Sequence, residues 1–301
     1  MRSKGGAERG NARGYALAFL LALLLALGSA VPVFAAEEPA PAEPAPEDEG
    51  AIQPQIVGGQ SVPDGKYKSI AALRDVTRGN SAYQQQFCGG TLIDRDSVLT
   101  AAHCVQGARP LQLRVAVGRT VLNSSQGQTR RVTAVFVHPR YNDTTDRAFD
   151  AAVVRLNRRV RNIAPVSIPA PEDNDLETPG DSATIAGWGN TERQGPKGDQ
   201  RDRFPNRMQE AQVPIVADST ARSRYGTEYR RALMVAAGEA NKDTCEGDSG
   251  GPLFVQSGAG DVSQIGITSF GVGCGTSRYP GVYAEANAKS IRSFIYRAAG
   301  K

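Results

Sequence analysis

The sequence has few of the residues on which metal centres depend. Its 301 residues include four cysteines, two histidines and one tryptophan, and no two cysteines form a CxxC pair. A structural zinc site is therefore not expected, because such sites need closely spaced cysteine and histidine ligands. From residue 56 onward the sequence also lacks apolar residues at helical spacing until its C-terminus, so we do not expect a helix-rich protein.

A strong excess of one charge is missing as well. The formal net charge is +4, and arginine and lysine are scattered along the chain without an accompanying stripe of aromatic residues. Nucleic-acid binding normally requires a basic patch of that kind. The basic residues are better explained as solvated surface, and no nucleic-acid partner is expected.

The first 36 residues have the composition of an export signal. Basic residues are scattered over positions 2–13, and an apolar run covers 15–27. Small residues then close the segment, where Val33-Phe34-Ala35 fits the cleavage rule of signal peptidase. The alternative is an uncleaved membrane anchor, because residues 15–36 could just span a bilayer. The signal peptide is favoured, so we expect a secreted, extracellular protein without stable membrane association.

Residues 37–55 consist largely of proline, glutamate and alanine. This composition cannot bury a core and predicts a disordered acidic, proline-rich segment. It is interpreted as a pro-segment or linker before a folded domain at 56–301.

Short β-type runs separated by turn residues fill the folded part, and a closing amphipathic helix carries Ile291, Phe294 and Ile295. This spacing predicts an all-β sandwich or barrel. The polar segment 190–207 is expected to be a long exposed loop. The predicted strands cover residues 97–100, 111–117, 131–137, 151–156, 183–186, 212–216, 252–255, 264–268 and 281–283.

The four cysteines form an even set in a chain expected to be exported, which favours disulfides. Four cysteines permit three pairings. Sequence proximity favours Cys88 with Cys104 and Cys245 with Cys274.

Three residues are candidates for catalysis. His103 ends a β-type run in the string LTAAHC and is a candidate general base. Ser249 lies in GDSGGP, where the glycines allow a tight turn and a close approach of substrate to backbone N–H groups. Asp150 opens an apolar strand, where a buried charge needs a partner. The second histidine, His138, is expected to lie in a turn or on the surface.

Together, GDSGGP, TAAHC, the aspartate before an apolar strand and Ile56-Val57-Gly58-Gly59 resemble the chymotrypsin/trypsin family of serine endopeptidases. The resemblance covers residues 56 to 301 almost completely, and the order His, Asp, Ser is that of the family. It implies two six-stranded antiparallel β-barrels of the chymotrypsin type with a C-terminal helix and an active site between the barrels.

The resemblance also implies residue roles. His103, Asp150 and Ser249 would form the catalytic triad, with the N–H groups of Gly247 and Ser249 as the oxyanion hole. The remaining implied residues bind substrate at a primary pocket selective for Arg or Lys: Asp243, Ser269, Gly271 and Gly281.

In this family, cleavage frees an N-terminal residue whose ammonium pairs with the acid before the catalytic serine; here these are Ile56 and Asp248. Gln55 precedes the cut, so simple autoactivation is not expected. The segment 118–131 lacks the acidic ligands of the family's calcium loop, and neither a metal nor another cofactor is expected.

The sequence is compatible with two functions from different classes. The first is an active endopeptidase, a monomer whose partners are protein or peptide substrates and proteinaceous inhibitors. The second is a catalytically silent relative that binds a partner through the same barrels. The presence of all three triad residues favours the enzyme.

Overall fold

The computed structural model describes residues 56–171, 174–195, 203–257 and 261–301. The predicted signal peptide at 1–36 and pro-segment at 37–55 therefore lie outside the described residues. Within those four ranges, the structure contains no helix long and apolar enough to cross a membrane.

The N-terminal half forms a closed antiparallel barrel of six strands. Around the ring the order is β2-β3-β4-β7-β6-β5, so the hydrogen bonds close without a free edge. Its interior holds apolar side chains that are almost fully buried, including Ile70, Leu92 and Val153. The strands are β2 (Ile70–Asp75), β3 (Gln86–Asp94), β4 (Ser97–Thr100), β5 (Leu113–Val117), β6 (Gln128–Val137) and β7 (Ala152–Leu156).

The C-terminal half forms a second barrel. Its order is β9-β10-β13-β12-β11-β8, closed by the pairing of β8 with β9, while the short β1 adds to the outer side of β9. The expected pair of six-stranded antiparallel barrels is confirmed. These strands are β1 (Gln60–Ser61), β8 (Ser182–Gly187), β9 (Gln209–Val216), β10 (Met234–Ala237), β11 (Pro252–Gln256), β12 (Val262–Phe270) and β13 (Gly281–Glu285).

The chain closes with helix α4 (Lys289–Ala299), as predicted. Ile291, Phe294 and Ile295 are buried on one face, which is the arrangement that their spacing requires. Three further helices are α1 (Ala82–Gln85), α2 (Ala102–Val105) and α3 (Asp218–Tyr225). The expectation of no helix before the C-terminus is wrong for α3, which buries only Ala221 and Tyr225 and so has almost no apolar stripe.

Candidate active site

His103 lies at the interface of the two barrels. Strand β4 ends at Thr100, and the single-turn helix α2 then carries His103 and Cys104. Cys104 forms a disulfide with Cys88 on β3, which ties this turn to the wall of the first barrel. The His103 side chain keeps 29% of its surface exposed, so a substrate can reach it.

Asp150 receives three hydrogen bonds. Its Oδ2 lies 2.7 Å from His103 Nδ1 and accepts from Ser269 Oγ at 2.6 Å, while Oδ1 accepts from the His103 backbone N–H at 2.9 Å. The aspartate is 2% exposed, and these donors compensate for the loss of water around its charge. Ser269 was predicted only as a substrate-binding residue, and its contact with the carboxylate is an additional role that its strand-end position did not reveal.

The contact changes the basicity of His103. Burial lowers the pKa of the imidazole, but the hydrogen bond and negative charge of Asp150 outweigh this effect and raise it above its usual value. Because the carboxylate contacts Nδ1, the neutral imidazole presents Nε2 as a proton acceptor to the cleft.

Ser249 lies in a tight turn next to the same disulfide. Its carbonyl oxygen accepts from the Gly89 N–H at 2.8 Å and lies 3.6 Å from Cys104 Sγ, which in turn lies 3.7 Å from His103 Nε2. Gly250, at φ +78°, leaves no room for a side chain, since a Cβ there would be 2.7 Å from the Gly89 carbonyl oxygen. Among the described residues, no hydrogen bond joins Ser249 Oγ to the imidazole. Ser249 and His103 are instead neighbours through Cys104, whose Sγ contacts the serine carbonyl oxygen and the histidine Nε2.

Two backbone donors flank Asp248. The N–H groups of Gly247 and Ser249 donate to no other described residue, whereas the N–H of Asp248 donates to the Cys245 carbonyl at 3.0 Å. Gly247 adopts φ +91°, a conformation that glycine reaches without a steric penalty. The turn therefore offers two free donors beside the serine hydroxyl.

A cavity of about 250 Å³ opens beside Ser249. Asp243 is 3% exposed; its Oδ2 accepts from the Gly275 N–H at 3.1 Å, and its Oδ1 has no hydrogen-bond partner among the described residues. Burial raises the pKa of this carboxyl to about 7. All four residues predicted for substrate binding line the cavity, and Gln194, Cys245, Phe270 and Cys274 are also among its lining residues.

The predicted exposed loop at 190–207 is buried at three of its described positions, of which Gln194 lines this cavity. Asn190 and Thr191 are at most 2% exposed, and Gln194 is 8% exposed. The polar side chains at these positions form hydrogen bonds within the fold: Asn190 Oδ1 accepts from the Glu192 and Arg203 N–H groups, and the Thr191 hydroxyl donates to the Arg203 carbonyl. Residues 196–202 lie outside the described residues.

Asp248 and Ile56 are both buried. Asp248 is 2% exposed, and its carboxylate accepts from the N–H groups of Gly189 at 2.7 Å and Cys245 at 3.1 Å. Burial raises its pKa to about 7, and no cation pairs with it among the described residues. Ile56 is fully buried in the apolar core of the second barrel, in a cluster with Ile185.

His138 opens a turn, as one half of the expectation had it, since its carbonyl oxygen accepts from the Tyr141 N–H at 2.9 Å, but it is not a surface residue. It is 4% exposed and stacks on Phe149 at 4.7 Å, with the edge of Phe294 at 4.8 Å. Burial lowers the pKa of this imidazole. His138 is a core residue, which leaves His103 as the histidine of the cleft.

The sulfur atoms of Cys88 and Cys104 and the ring of His103 lie within 4.8 Å of one another. The two sulfurs are joined in a disulfide, so they cannot act as thiolate ligands. The second disulfide joins Cys245 and Cys274 at the wall of the cavity. Both pairings are those that sequence proximity favours.

Comparisons with known proteins agree with this geometry. A family model described as Trypsin matches residues 56–295. The chain is 43% identical over 206 residues to Trypsin of Saccharopolyspora erythraea, covering 68% of this chain and 84% of that protein. It is 31% identical over 243 residues to Trypsin-1 of Astacus astacus, covering 77% and 95% respectively. It is also 32% identical over 258 residues to Phenoloxidase-activating factor 3 of Holotrichia diomphalia, covering 77% of this chain and 70% of that protein.

A two-barrel fold, a histidine bound to a buried aspartate and a match across residues 56–295 together place this chain in the trypsin family of chymotrypsin-fold serine endopeptidases.

Proposed function

We propose that the chain is a secreted endopeptidase that cleaves after Arg or Lys through a Ser/His/Asp triad and is activated by cleavage before Ile56. The observation that carries this proposal is the carboxylate of Asp243, buried in the same cavity that Ser249 lines.

The chemistry begins at Ser249. A serine hydroxyl is a weak nucleophile until a base removes its proton, and His103 Nε2 is the base beside it. Ser249 Oγ attacks the scissile carbonyl while its proton moves to Nε2, and the imidazolium then protonates the leaving amine. Asp150 holds the tautomer and stabilises the imidazolium. Water, activated by the same histidine, releases the acyl group from Ser249.

The tetrahedral intermediate carries a negative oxygen. The free N–H groups of Gly247 and Ser249 are suited to bind it, and each donor of this type contributes about 3 kcal/mol in the transition state.

Specificity for Arg or Lys rests on the unpaired Oδ1 of Asp243. A cationic side chain that enters the cavity would supply the missing partner, whereas an apolar or acidic side chain would leave the buried charge uncompensated. Gly281 keeps this route open, since a Cβ there would lie 2.6 Å from Asp243 Oδ1.

Activation would supply a cationic partner to the Asp248 carboxylate, as a substrate side chain would to Asp243. Cleavage between Gln55 and Ile56 creates an α-ammonium group next to the buried isoleucine side chain. Its charge would compensate the Asp248 carboxylate, which fixes the turn that carries Gly247 and Ser249. The glutamine before the cut implies that another protease, or a trimming step, supplies it.

Two disulfides fit an extracellular protein. In the proposal, residues 1–36 direct export and are removed, residues 37–55 are a pro-segment, and the mature monomer acts on protein substrates and is open to proteinaceous inhibitors.

The test is a cleavage-site survey. The chain starting at Ile56 is incubated with an unfolded protein mixture, and the new termini are identified by mass spectrometry, with Ser249→Ala as the blank. The proposal expects cuts after Arg and Lys that are missing from the blank. Cuts after aromatic residues would contradict the pocket assignment, and no cuts at all would favour a silent binding protein.

A further inference from the structure

Three arginines form a row on the outer face of the first barrel. Arg74 on β2 lies directly opposite Arg114 on β5, and Arg114 lies directly opposite Arg131 on β6. Residues that are directly opposite in antiparallel strands place their side chains on the same face, with Cβ atoms about 5 Å apart. The preceding Leu73 and the following Val115 are buried in the barrel, so the alternation along each strand directs the arginines outward. We call these three residues the arginine row.

No carboxylate compensates the charges of the arginine row. Like charges that lie directly opposite one another in a sheet are destabilising, yet none of the three arginines forms an ion pair with a residue that the structure describes. The adjacent acid, Asp75, accepts from the Thr77 N–H at 2.9 Å and hydroxyl at 2.7 Å, and it lies 4.0 Å from Arg78. The fold therefore gathers three positive charges and supplies no negative partner for them.

The guanidinium groups of the row contact neutral acceptors only. Arg74 donates to the Gln85 side-chain oxygen at 2.5 Å, and Arg114 donates to two backbone carbonyl groups of the segment 111–113 at 2.9 and 2.8 Å. Arg131 is exposed to solvent. Each guanidinium has five N–H donors, so the row keeps donors for an acceptor from outside the chain.

The charges are close enough to influence one another. Burial lowers the pKa of Arg74, and the positive charges of Arg119 and Arg114 lower it further. Arg119 is 8% exposed, and it donates to two backbone carbonyl groups and to the Thr129 hydroxyl, which are all neutral. A fourth uncompensated charge therefore adds to the positive potential of this face.

Two exposed apolar side chains lie beside the row. Leu111 is 85% exposed, and its carbonyl oxygen is one of the acceptors of Arg114. Val76 is 37% exposed, and its N–H donates to the carbonyl of the neighbouring Gln112 at 3.0 Å. A single exposed leucine is ordinary, but this pair beside uncompensated cations suits a ligand that has both carboxylates and apolar side chains. A sulfated polysaccharide or a nucleic acid would match the charges without offering aliphatic side chains to Leu111 and Val76.

We propose that the arginine row binds an acidic segment of a partner protein, with carboxylates on Arg74, Arg114 and Arg131 and an apolar side chain against Leu111 and Val76. A guanidinium binds a carboxylate through two parallel hydrogen bonds. Alternate residues of an extended peptide lie about 7 Å apart, a spacing that long side chains about 5 Å apart at their base can reach. An extended acidic segment lying across β2, β5 and β6 would therefore meet the three arginines in turn.

The arginine row begins close to the catalytic cleft. Arg74 also lies opposite Gln86 on β3, and Gln86 Nε2 donates to the Gly247 carbonyl at 2.9 Å. A protein bound to the row would thus extend from the edge of the cleft, and the row would recruit substrates that carry an acidic segment. Only this recruitment rests on the proposed function; the binding itself does not.

The experiment measures binding of a fluorescent peptide that contains six glutamates and two leucines, by anisotropy. The protein is the chain starting at Ile56, which holds both closed barrels, with Ser249→Ala to prevent cleavage. We expect saturable binding at an ionic strength of about 0.01 M and weaker binding at about 0.15 M, because the Debye length falls from about 30 to about 8 Å. A reference peptide with glutamine in place of each glutamate should not bind.

Three variants separate the row from general attraction to a basic protein. Arg114→Gln removes the central charge and should weaken peptide binding roughly fivefold or more at low ionic strength. Arg224→Gln is the matched control, since Arg224 is exposed on α3 and has no ion pair in the described part of the chain; it should leave the affinity unchanged. Leu111→Ser should weaken binding without lowering Tm, because the leucine side chain is already exposed.

The proposal is overturned if the parent does not bind the glutamate peptide, or if Arg114→Gln and Arg224→Gln weaken binding equally. Tighter binding of a sulfated polysaccharide or of duplex DNA than of the peptide would overturn the choice of a protein partner. If Arg114→Gln does not fold, Arg131→Gln decides the question, because Arg131 is exposed; unchanged affinity in that variant would contradict the row. Binding is measured without turnover, so these results stand whether or not the chain is an active protease.

Discussion

Nδ1 of His103 lies 2.7 Å from Oδ2 of Asp150, and the Ser269 hydroxyl donates to the same oxygen atom. The aspartate is buried and the imidazole is partly exposed, so the carboxylate fixes one edge of the ring and leaves the other edge, with Nε2, to the cleft. This contact links the fold to the proposed chemistry, because it decides which nitrogen can accept a proton.

Asp150→Asn should therefore disable the enzyme without disturbing the fold. An amide donates where the carboxylate accepts, and the ring is then held in the wrong tautomer. We expect kcat to fall by about 10⁴, with little change in Tm. Asp143→Asn is the matched control, since Asp143 is exposed and contacts Arg147 at 3.6 Å and the Tyr141 hydroxyl at 3.1 Å but not the imidazole; an equal loss in both variants would contradict a specific role for Asp150.

The pH profile of kcat/KM should show the same contact. His103 must be neutral to accept the proton, and Asp150 raises its pKa. The acid limb should have its midpoint above the usual imidazole value of about 6.5, and in Asp150→Asn the residual activity should titrate at lower pH. The raised pKa stabilises the fold only while His103 is protonated, and this contribution is lost as the pH rises through that pKa. An acid limb that does not move in the variant would count against the assignment.

Gly281→Ala should narrow the primary pocket. The added Cβ would lie 2.6 Å from Asp243 Oδ1 and 3.2 Å from the Tyr283 hydroxyl, and overpacking of this kind costs about 1–3 kcal/mol. We expect kcat/KM on Arg substrates to fall roughly 5- to 150-fold. Gly271→Ala is the control, since its Cβ would meet only the Gly273 carbonyl oxygen at 3.3 Å; a larger loss there than at Gly281 would argue against this pocket geometry.

The stability of the uncut chain should depend on pH through Asp248. Burial raises its pKa from 3.8 to about 7, so the folded state binds more protons than the unfolded state across that interval. The free energy of unfolding should then decrease as the pH rises from about 4 to about 7. Urea unfolding at several pH values measures this slope.

Cleavage before Ile56 should reduce the slope of the free energy of unfolding against pH, because the new ammonium group stabilises the charged form of Asp248 and so lowers its pKa in the folded state. Asp248→Asn should flatten the pH dependence of the uncut form only. Asp243→Asn, which removes a second buried carboxyl with a pKa raised to about 7, should flatten both forms alike. Identical slopes in the cut and uncut chains would contradict the pairing.

The short β-type runs of the sequence predicted most strands of the barrels but missed three of them, β2, β3 and β10. For β3 and β10 the structure gives a physical reason. Strand β3 contains Gly89 and Gly90, which normally weaken a strand. Here a Cβ at Gly90 would lie 2.6 Å from the Leu99 carbonyl oxygen, and one at Gly89 would lie 3.0 Å from Gly251 Cα. Strand β10 has only four residues, mostly alanine and valine. Both strands form because of packing between distant chain segments, which the local propensity of the sequence does not describe.

The catalytic candidates were visible because each lies in a short, unusual string. The hydrogen bond from Ser269 to Asp150 and the burial of His138 were not. Each of these depends on residues far apart in the chain that meet only in the folded protein; Ser269 and Asp150, for example, lie 119 positions apart. A sequence pattern could have suggested none of these contacts.

The most direct test of the account compares two purified forms of the chain, one starting at Ile56 and one retaining residues 37–55. Both are assayed on paired peptide substrates ending in Arg and in Phe, with Ser249→Ala as the blank. The account predicts cleavage of the Arg peptide by the Ile56 form alone, and none in the blank. Preference for the Phe peptide, equal activity in the two forms, or activity that survives in Ser249→Ala would contradict the pocket, the activation step or the nucleophile, respectively.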